Sequence, residues 1–219
     1  TVLLRMRNLS NDEHLALAAH LGNELGEISE KQFTTIGPTV GATLKRRSIW
    51  ALAIAAGAIV LYIAFAFRRV PRRLSPWKFG VIAVVTLLHD VLITVGVFVI
   101  LSQVTSFEFD TLFITALLTI LGYSVNDTIV IFDRIRDNLF LQEGREDFQS
   151  IAERSLHQSI TRSINTSLST LIMLLSLYFL GSESIRWFVL TLIVGAVIGT
   201  YSSLFLATPL LVYWRKQSN

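Results

Sequence analysis

Hydrophobic and polar positions divide this chain at about residue 47. Before that point the pattern is that of a water-facing piece. In TVLLRMRNL, Val2, Leu4 and Met6 recur at the two-residue period of a strand. Ser10 to Glu13, SNDE, has the capping-box spacing that opens a helix, and the helical pattern runs to about Leu25 before Gly26, a residue that commonly follows a helix end. EISEKQFTTI then reads as a second strand. A strand, a helix and a strand are too small to close a core alone, so residues 1–47 are expected to be the remaining half of a small α+β domain. The chain opens at Thr1, without Met and inside the first strand pattern, so it is expected to be a fragment or a trimmed form of a longer protein.

After residue 47 the pattern changes to five apolar runs, at about 48–67, 79–102, 111–133, 164–181 and 187–208. A hydrocarbon core of about 30 Å needs roughly 20 residues of helix, so each run can span a bilayer. The predicted architecture is an all-α polytopic membrane bundle with five visible spans. An external domain that began before Thr1 would require one more span ahead of it, six in the intact subunit.

Charge orients the bundle. The connection RRVPRRLSPWK holds Arg68, Arg69, Arg72, Arg73 and Lys78, whereas QVTSFEFD holds Glu108 and Asp110 and no base. The positive-inside rule puts 68–78, 134–163 and the WRKQSN tail in the cytoplasm and 103–110 outside. Residues 1–47 are then external, with Lys45, Arg46 and Arg47 as a local exception. Small residues in the spans, Ala53 and Gly57 in the first and Gly195 and Gly199 in the last, read as sites of close helix packing.

Composition agrees with a membrane protein and narrows the chemistry: 52% of residues are hydrophobic and only 16% charged. The net charge of +3 sits beside apolar runs rather than on a polar face, so nucleic acid is not an expected partner. Cysteine is absent, which excludes disulfides and thiolate metal sites. No phosphate-binding glycine loop, metal cluster or base-activated nucleophile is legible, so an enzyme is not expected and neither is a bound cofactor.

The chemistry that is legible lies inside the spans. TLFITALLTILGYSVNDTIVIFD, residues 111–133, carries Asn126 and Asp127. Asp127 is five residues past Gly122 at the middle of the run, roughly 7 to 8 Å from the midplane and beyond reach of the headgroups. A carboxylate there costs about 2.5 to 3.5 kcal/mol unless it is paired, hydrated or protonated. Tyr123, Ser124 and Ile131 share its face. In the second span His89 and Asp90 are central, and Asp90 shares a stripe with Thr86 and Thr94 that should face protein or water. Asp90 can lock helix packing or serve a relay; adjacent residues diverge by about 100°, so His89 and Asp90 should not meet one partner. Asp133, Arg134, Arg136 and Asp137 at the cytoplasmic end read as snorkelling groups with local ion pairs.

The fourth span starts with QSITRSINTSLST, whose run of hydroxyls and amides around Arg162 must be shielded by protein. Arg162 comes from the same side as Asp127 and is long enough to reach toward it. A nearby cation favours the charged carboxylate and burial the neutral one, so a small rearrangement could move Asp127 between them, as a proton carrier requires. A static buried ion pair is the alternative.

LLHDV (Leu87 to Val91) with Gly96, GYSVNDTIVIFDRIRDN (Gly122 to Asn138) and an arginine ahead of a Ser/Thr-rich span together resemble the SecF family. SecF is the smaller half of the bacterial SecD and SecF protein-export membrane pair, in the RND superfamily. IGPTVG (Ile36 to Gly41) is similar to the end of the family's external domain, so the resemblance covers nearly the whole chain, either as a separate SecF or as the SecF half of a fused SecDF. It implies a six-span subunit of the bacterial inner membrane with a ferredoxin-like periplasmic domain. Such a subunit works with SecD and the SecY, SecE and SecG channel, using the proton-motive force to draw preproteins out. It also implies that Asp127 and Arg162, with Asn126 beside them and a carboxylate from SecD, serve proton passage, and that Asp90 has a less defined role. Two rivals stand beside it: an antiporter of small solutes in the same superfamily, and a passive scaffold in which Asp127 and Arg162 are a fixed strut.

Overall fold

In a computed structural model, residues 4, 9–26, 38–68, 75–105, 107–141 and 146–216 are described. The chain divides into two compact units, Thr1–Trp50 and Ala51–Asn219. Within the first, helix α1 (Asn11–Leu25) opens on the expected capping box: Ser10 Oγ accepts the Glu13 amide at 3.3 Å, and Glu13 Oε2 accepts the Ser10 amide at 2.9 Å. Gly26 follows with φ of +85°, a value that suits glycine. The two predicted strands fall mostly outside the described residues. Among the described residues every regular element is helical, and no strand is present.

Among the described residues, five helices are long and apolar enough to cross a membrane: Arg46–Ala66, Pro76–Val104, Thr111–Leu141, Phe148–Leu180 and the composite Glu183–Lys216. We name them α2 (Pro38–Ala66), α3 (Pro76–Val104), α4 (Thr111–Leu141) and α5 (Phe148–Leu180). A 3-10 turn, Glu183–Ile185, leads into α6 (Arg186–Ser202), a π-turn (Ser203–Ala207) and α7 (Thr208–Lys216). The helices outrun the apolar windows that predict them. The 33 residues of α5 span about 50 Å, so the polar stretch before the fourth run is the first half of one continuous helix.

Helix α4 packs against α3, α5 and α6. Two apolar clusters fill the bundle. One joins Ile63, Phe67, Phe79, Phe132, Ile135, Ile151 and Leu211, with Phe79 5.1 Å from Phe67 and 5.2 Å from Phe132 between ring centres. The other joins Leu87, Phe98, Phe107, Phe113, Leu117 and Ile120, with Trp187 against Phe107. Along α4 and α6 a polar layer lies between them, built from Ser124, Asp127 and Thr128 on one helix and Thr200, Ser202 and Ser203 at the end of the other.

Small residues play two different parts. A Cβ at Gly195 would collide with the Ile120 side chain, and one at Gly199 would lie 2.9 Å from Ser124 Cβ, so these glycines are where α6 closes on α4. Ala53 and Gly57 do not act this way. Both are exposed, and a Cβ at Gly57 would meet nothing within 4 Å. The α2 span is only 6% buried and packs through a different face, where Ile63 is buried, with Phe67 buried just past its end.

Candidate functional site: two carboxylates in the polar layer

Asp90 is fully buried on α3, and so are Thr86 and Thr94 on its stripe. Its Oδ2 accepts hydrogen bonds from Ser124 Oγ of α4 at 2.5 Å and from Ser202 Oγ of α6 at 2.8 Å. Its Oδ1 lies 3.1 Å from His89 Nδ1. The two side chains diverge at the backbone yet meet at their tips. One carboxyl group thereby ties three helices together, and Gly199 allows it, because α6 could not bring Ser202 so near Ser124 with a side chain at that position.

Asp127, 7% exposed, occupies the neighbouring position on α4. Its Oδ1 accepts Ser163 Oγ of α5 at 2.9 Å, and Ser203 Oγ stands 3.5 Å from its Oδ2. Arg162, adjacent to Ser163, is near enough for its charge to act on Asp127, but no hydrogen bond or ion pair within 4 Å joins them among the described residues. The guanidinium instead lies on the exposed side of α5. Asn126 is exposed on α4. The layer is closed further by Ser167 Oγ and Thr200 Oγ1, 2.6 Å apart between α5 and α6.

Beyond the layer, at the end of the bundle holding Asp133 and Asp137, Arg136 pairs with Asp133 at 2.6 Å and reaches Asp137 at 3.5 Å. Asn138 bridges α4 to α5 through Ser155 Oγ at 2.8 Å and Gln158 Oε1 at 2.9 Å, and Arg134 Nε donates to the same Gln158 oxygen. Among the described residues no group of three or more His, Asp or Glu lies close enough to hold a metal ion.

Asp90 and Asp127 thus come together as two hydroxyl-lined carboxyl sites. Ser202 and Ser203, which serve both, are the residues that sequence reasoning passed over; the signal for them is a consecutive serine pair in an apolar run six residues ahead of Pro209.

The sequence pattern described as "Protein export membrane protein SecD/SecF, C-terminal" matches residues 17–217. The chain belongs to the SecD/SecF protein-export membrane family. Within the family it is 47% identical over 208 residues to the protein translocase subunit SecF of Thermobaculum terrenum, covering 95% of this chain and 64% of that one. It is 38% identical over 218 residues to the SecF of Synechocystis, covering 99% of this chain and 66% of the relative. The chain therefore spans somewhat under two thirds of the length of these SecF relatives. A fused family member, the SecDF subunit of Thermus thermophilus, is 37% identical over 215 residues and is covered over 27% of its length. A crystal structure of SecDF in a super-membrane-facing form superposes with a TM-score of 0.73 at 35% identity, covering 96% of this chain and 27% of that one. Membership on the SecF side and an integral membrane fold agree with the resemblance carried by LLHDV and GYSVNDTIVIFDRIRDN.

Proposed function

We propose that this chain is the membrane-embedded part of a proton-motive-force-driven SecF subunit, an accessory of the Sec translocon that assists late preprotein translocation. The observation that carries the proposal is the company Asp127 keeps. A cation bonded to a buried carboxylate locks it in the charged state. A hydroxyl can donate to a carboxylate or accept from a carboxylic acid, so Ser163 and Ser203 suit both forms. That property favours a group that loads and unloads a proton over a fixed ion-pair strut. A unit charge crossing the membrane field is worth roughly 2.3 kcal/mol per 100 mV, enough to bias a two-state bundle.

In this reading Asp127 carries the proton and Asp90 is a second carboxyl station in the same layer. Arg162 and Asn126 lie on the face toward the partner subunit, and the proton is the coupling ion. The partner is SecD. Supporting this, α4 exposes Thr115, Thr119, Gly122 and Asn126 in one stripe, and α5 exposes Arg162, Thr166 and Ser169. A stripe that polar at membrane depth is expensive against lipid and suits another protein, with a SecD carboxylate as the counter-charge to Arg162. The SecY, SecE and SecG channel and the preprotein complete the assembly. Residues 1–47 are the remainder of a periplasmic α+β domain, residues 48–219 are the transmembrane domain in the bacterial inner membrane, and the C-terminus is cytoplasmic.

The test is export into sealed vesicles with and without a proton gradient, comparing the native complex with Asp127→Asn at equal content of SecD and channel. The proposal expects the gradient-dependent part of export to vanish in the variant while assembly holds. Persistence of that part would make Asp127 structural and leave the scaffold reading in its place.

A further inference from the structure

Ser202 and Ser203 are consecutive, yet each stands beside a different carboxylate on a different helix. Ser202 Oγ is 2.8 Å from Asp90 Oδ2 and 3.1 Å from the Gly199 carbonyl oxygen. Ser203 Oγ is 2.5 Å from that same carbonyl oxygen, 3.4 Å from the Thr200 carbonyl and 3.5 Å from Asp127 Oδ2. A serine has one hydrogen to donate. The distances therefore describe opposite commitments: Ser202 gives its hydrogen to the Asp90 carboxyl, and Ser203 gives its hydrogen to the backbone while remaining within reach of Asp127. The Gly199 oxygen is the alternative acceptor for both.

The backbone is shaped for such an exchange. The π-turn Ser203–Ala207 begins at the second serine, and π-turns inside α-helices recur at functional sites. Pro209 contributes no amide hydrogen two residues beyond it, which leaves a carbonyl in the preceding turn without its helical donor.

We propose that Ser202, Ser203 and the Gly199 carbonyl form a hydroxyl switch that makes the last span sense the charge on Asp127 and pass it to Asp90; this rests on Asp127 being a proton carrier. When Asp127 is charged, a charge-assisted hydrogen bond about twice as strong as a neutral one draws the Ser203 hydrogen off Gly199. The vacated side of the Gly199 oxygen then competes for Ser202, loosening its bond to Asp90. When Asp127 is neutral the arrangement seen here returns. The groups that face the two carboxyls are His89 on α3, Ser124 on α4, and Ser163 and the nearby charge of Arg162 on α5. Of these, His89 faces Asp90 rather than Ser203. Ser202 and Ser203 are positioning residues, acting through the two carboxyls.

The experiment reads the Gly199 carbonyl directly. Gly199–Thr200 is the one Gly-Thr step in residues 1–219, so carbonyl-13C glycine with 15N threonine confines the solid-state NMR signal to it and to any Gly-Thr step outside them. The labelled full-length subunit is reconstituted in bilayers with its unlabelled partner, and loss of the signal in Thr200→Ser assigns it. The expected result is a Gly199 carbonyl resonance that moves between acid and alkaline samples of the native protein. It keeps moving in Ser203→Thr, which retains the hydroxyl, and stands still in Ser203→Ala and Asp127→Asn. A resonance that moves equally in Ser203→Ala overturns the switch. So does a stationary native resonance; if Asp127→Asn still abolishes gradient-driven export, the proton reading survives that failure, and if export is also unchanged, both fall together.

Discussion

Replacing Gly199 by alanine should damage the bundle out of proportion to the single methyl added. The new Cβ would lie 2.9 Å from Ser124 Cβ, 3.2 Å from Ser124 Oγ and 3.4 Å from Ser124 Cα. Carbon atoms rest at about 3.5 to 4.0 Å, so α6 must retreat from α4 by roughly 0.5 to 1 Å, because Ser124 Cβ is fixed to the α4 backbone and no rotamer change moves it aside. Such a retreat would disturb the junction at which Asp90 of α3 holds Ser124 of α4 and Ser202 of α6 on one oxygen, the latter at 2.8 Å. Overpacking costs about 1 to 3 kcal/mol, and an interhelical hydrogen bond within a membrane about 0.6 to 1.7 kcal/mol. Gly199→Ala is therefore expected to lose about 2 to 4 kcal/mol of unfolding free energy, read by reversible denaturant unfolding of the purified subunit in mixed micelles. Gly57→Ala is the internal control, since its methyl meets nothing, and it should stay within about 0.5 kcal/mol of the native protein. A Gly199→Ala protein as stable as that control would refute the claim that helix approach at this position holds the polar layer together.

Other outcomes follow from the same packing. Gly195→Ala should also destabilise the bundle, but the three atoms nearest its new Cβ all belong to the Ile120 side chain, so adding Ile120→Ala should restore part of the loss in the same unfolding assay, a coupling that Gly199→Ala would not show. Phe79→Ala removes a fully buried ring that touches Phe67 and Phe132 and should cost about 3 to 5 kcal/mol, whereas Ile54→Ala on the exposed face of α2 should cost under about 1 kcal/mol in micelles.

Much of this architecture is legible in the sequence because a bilayer imposes a length. Apolar runs mark the spans, and SNDE marks the start of α1 down to its reciprocal hydrogen bonds. Helix ends are less legible: α5 begins at Phe148, since a helix continues through polar residues when one face, here Ile151, Ala152 and Ser155, is buried against a neighbour. Asp127 and Asp90 stand out as carboxyl groups in apolar surroundings. Their partners do not, because Ser163, Ser202 and Ser203 resemble any other hydroxyl in a span until the helices are docked. Reach along one axis suggests Arg162 as a neighbour of Asp127; rotation about α5 gives the hydrogen bond to Ser163 and leaves Arg162 acting through its charge. The π-turn leaves one trace, Pro209 in an apolar run, and the register change it produces follows from backbone geometry rather than composition. Ala53 and Gly57 show the reverse case, a packing pattern that no described residue of this chain packs against.

The placement of the polar layer between two phenylalanine-rich clusters bears on leakage. A membrane that stores energy as a proton gradient tolerates no continuous file of water, and the rings of Phe67, Phe79 and Phe132 on one side and Phe98, Phe107 and Phe113 on the other cap the layer at both ends. Rings packed on one another have few rotamers to flip into, so either cluster opens only when several of its residues move together. The layer is least covered sideways, where α4 and α5 expose Asn126 and Arg162. On the proposed reading a proton then comes and goes through the flank rather than along the axis of the bundle, and insulation of the energy store falls to whichever protein surface lies against that flank.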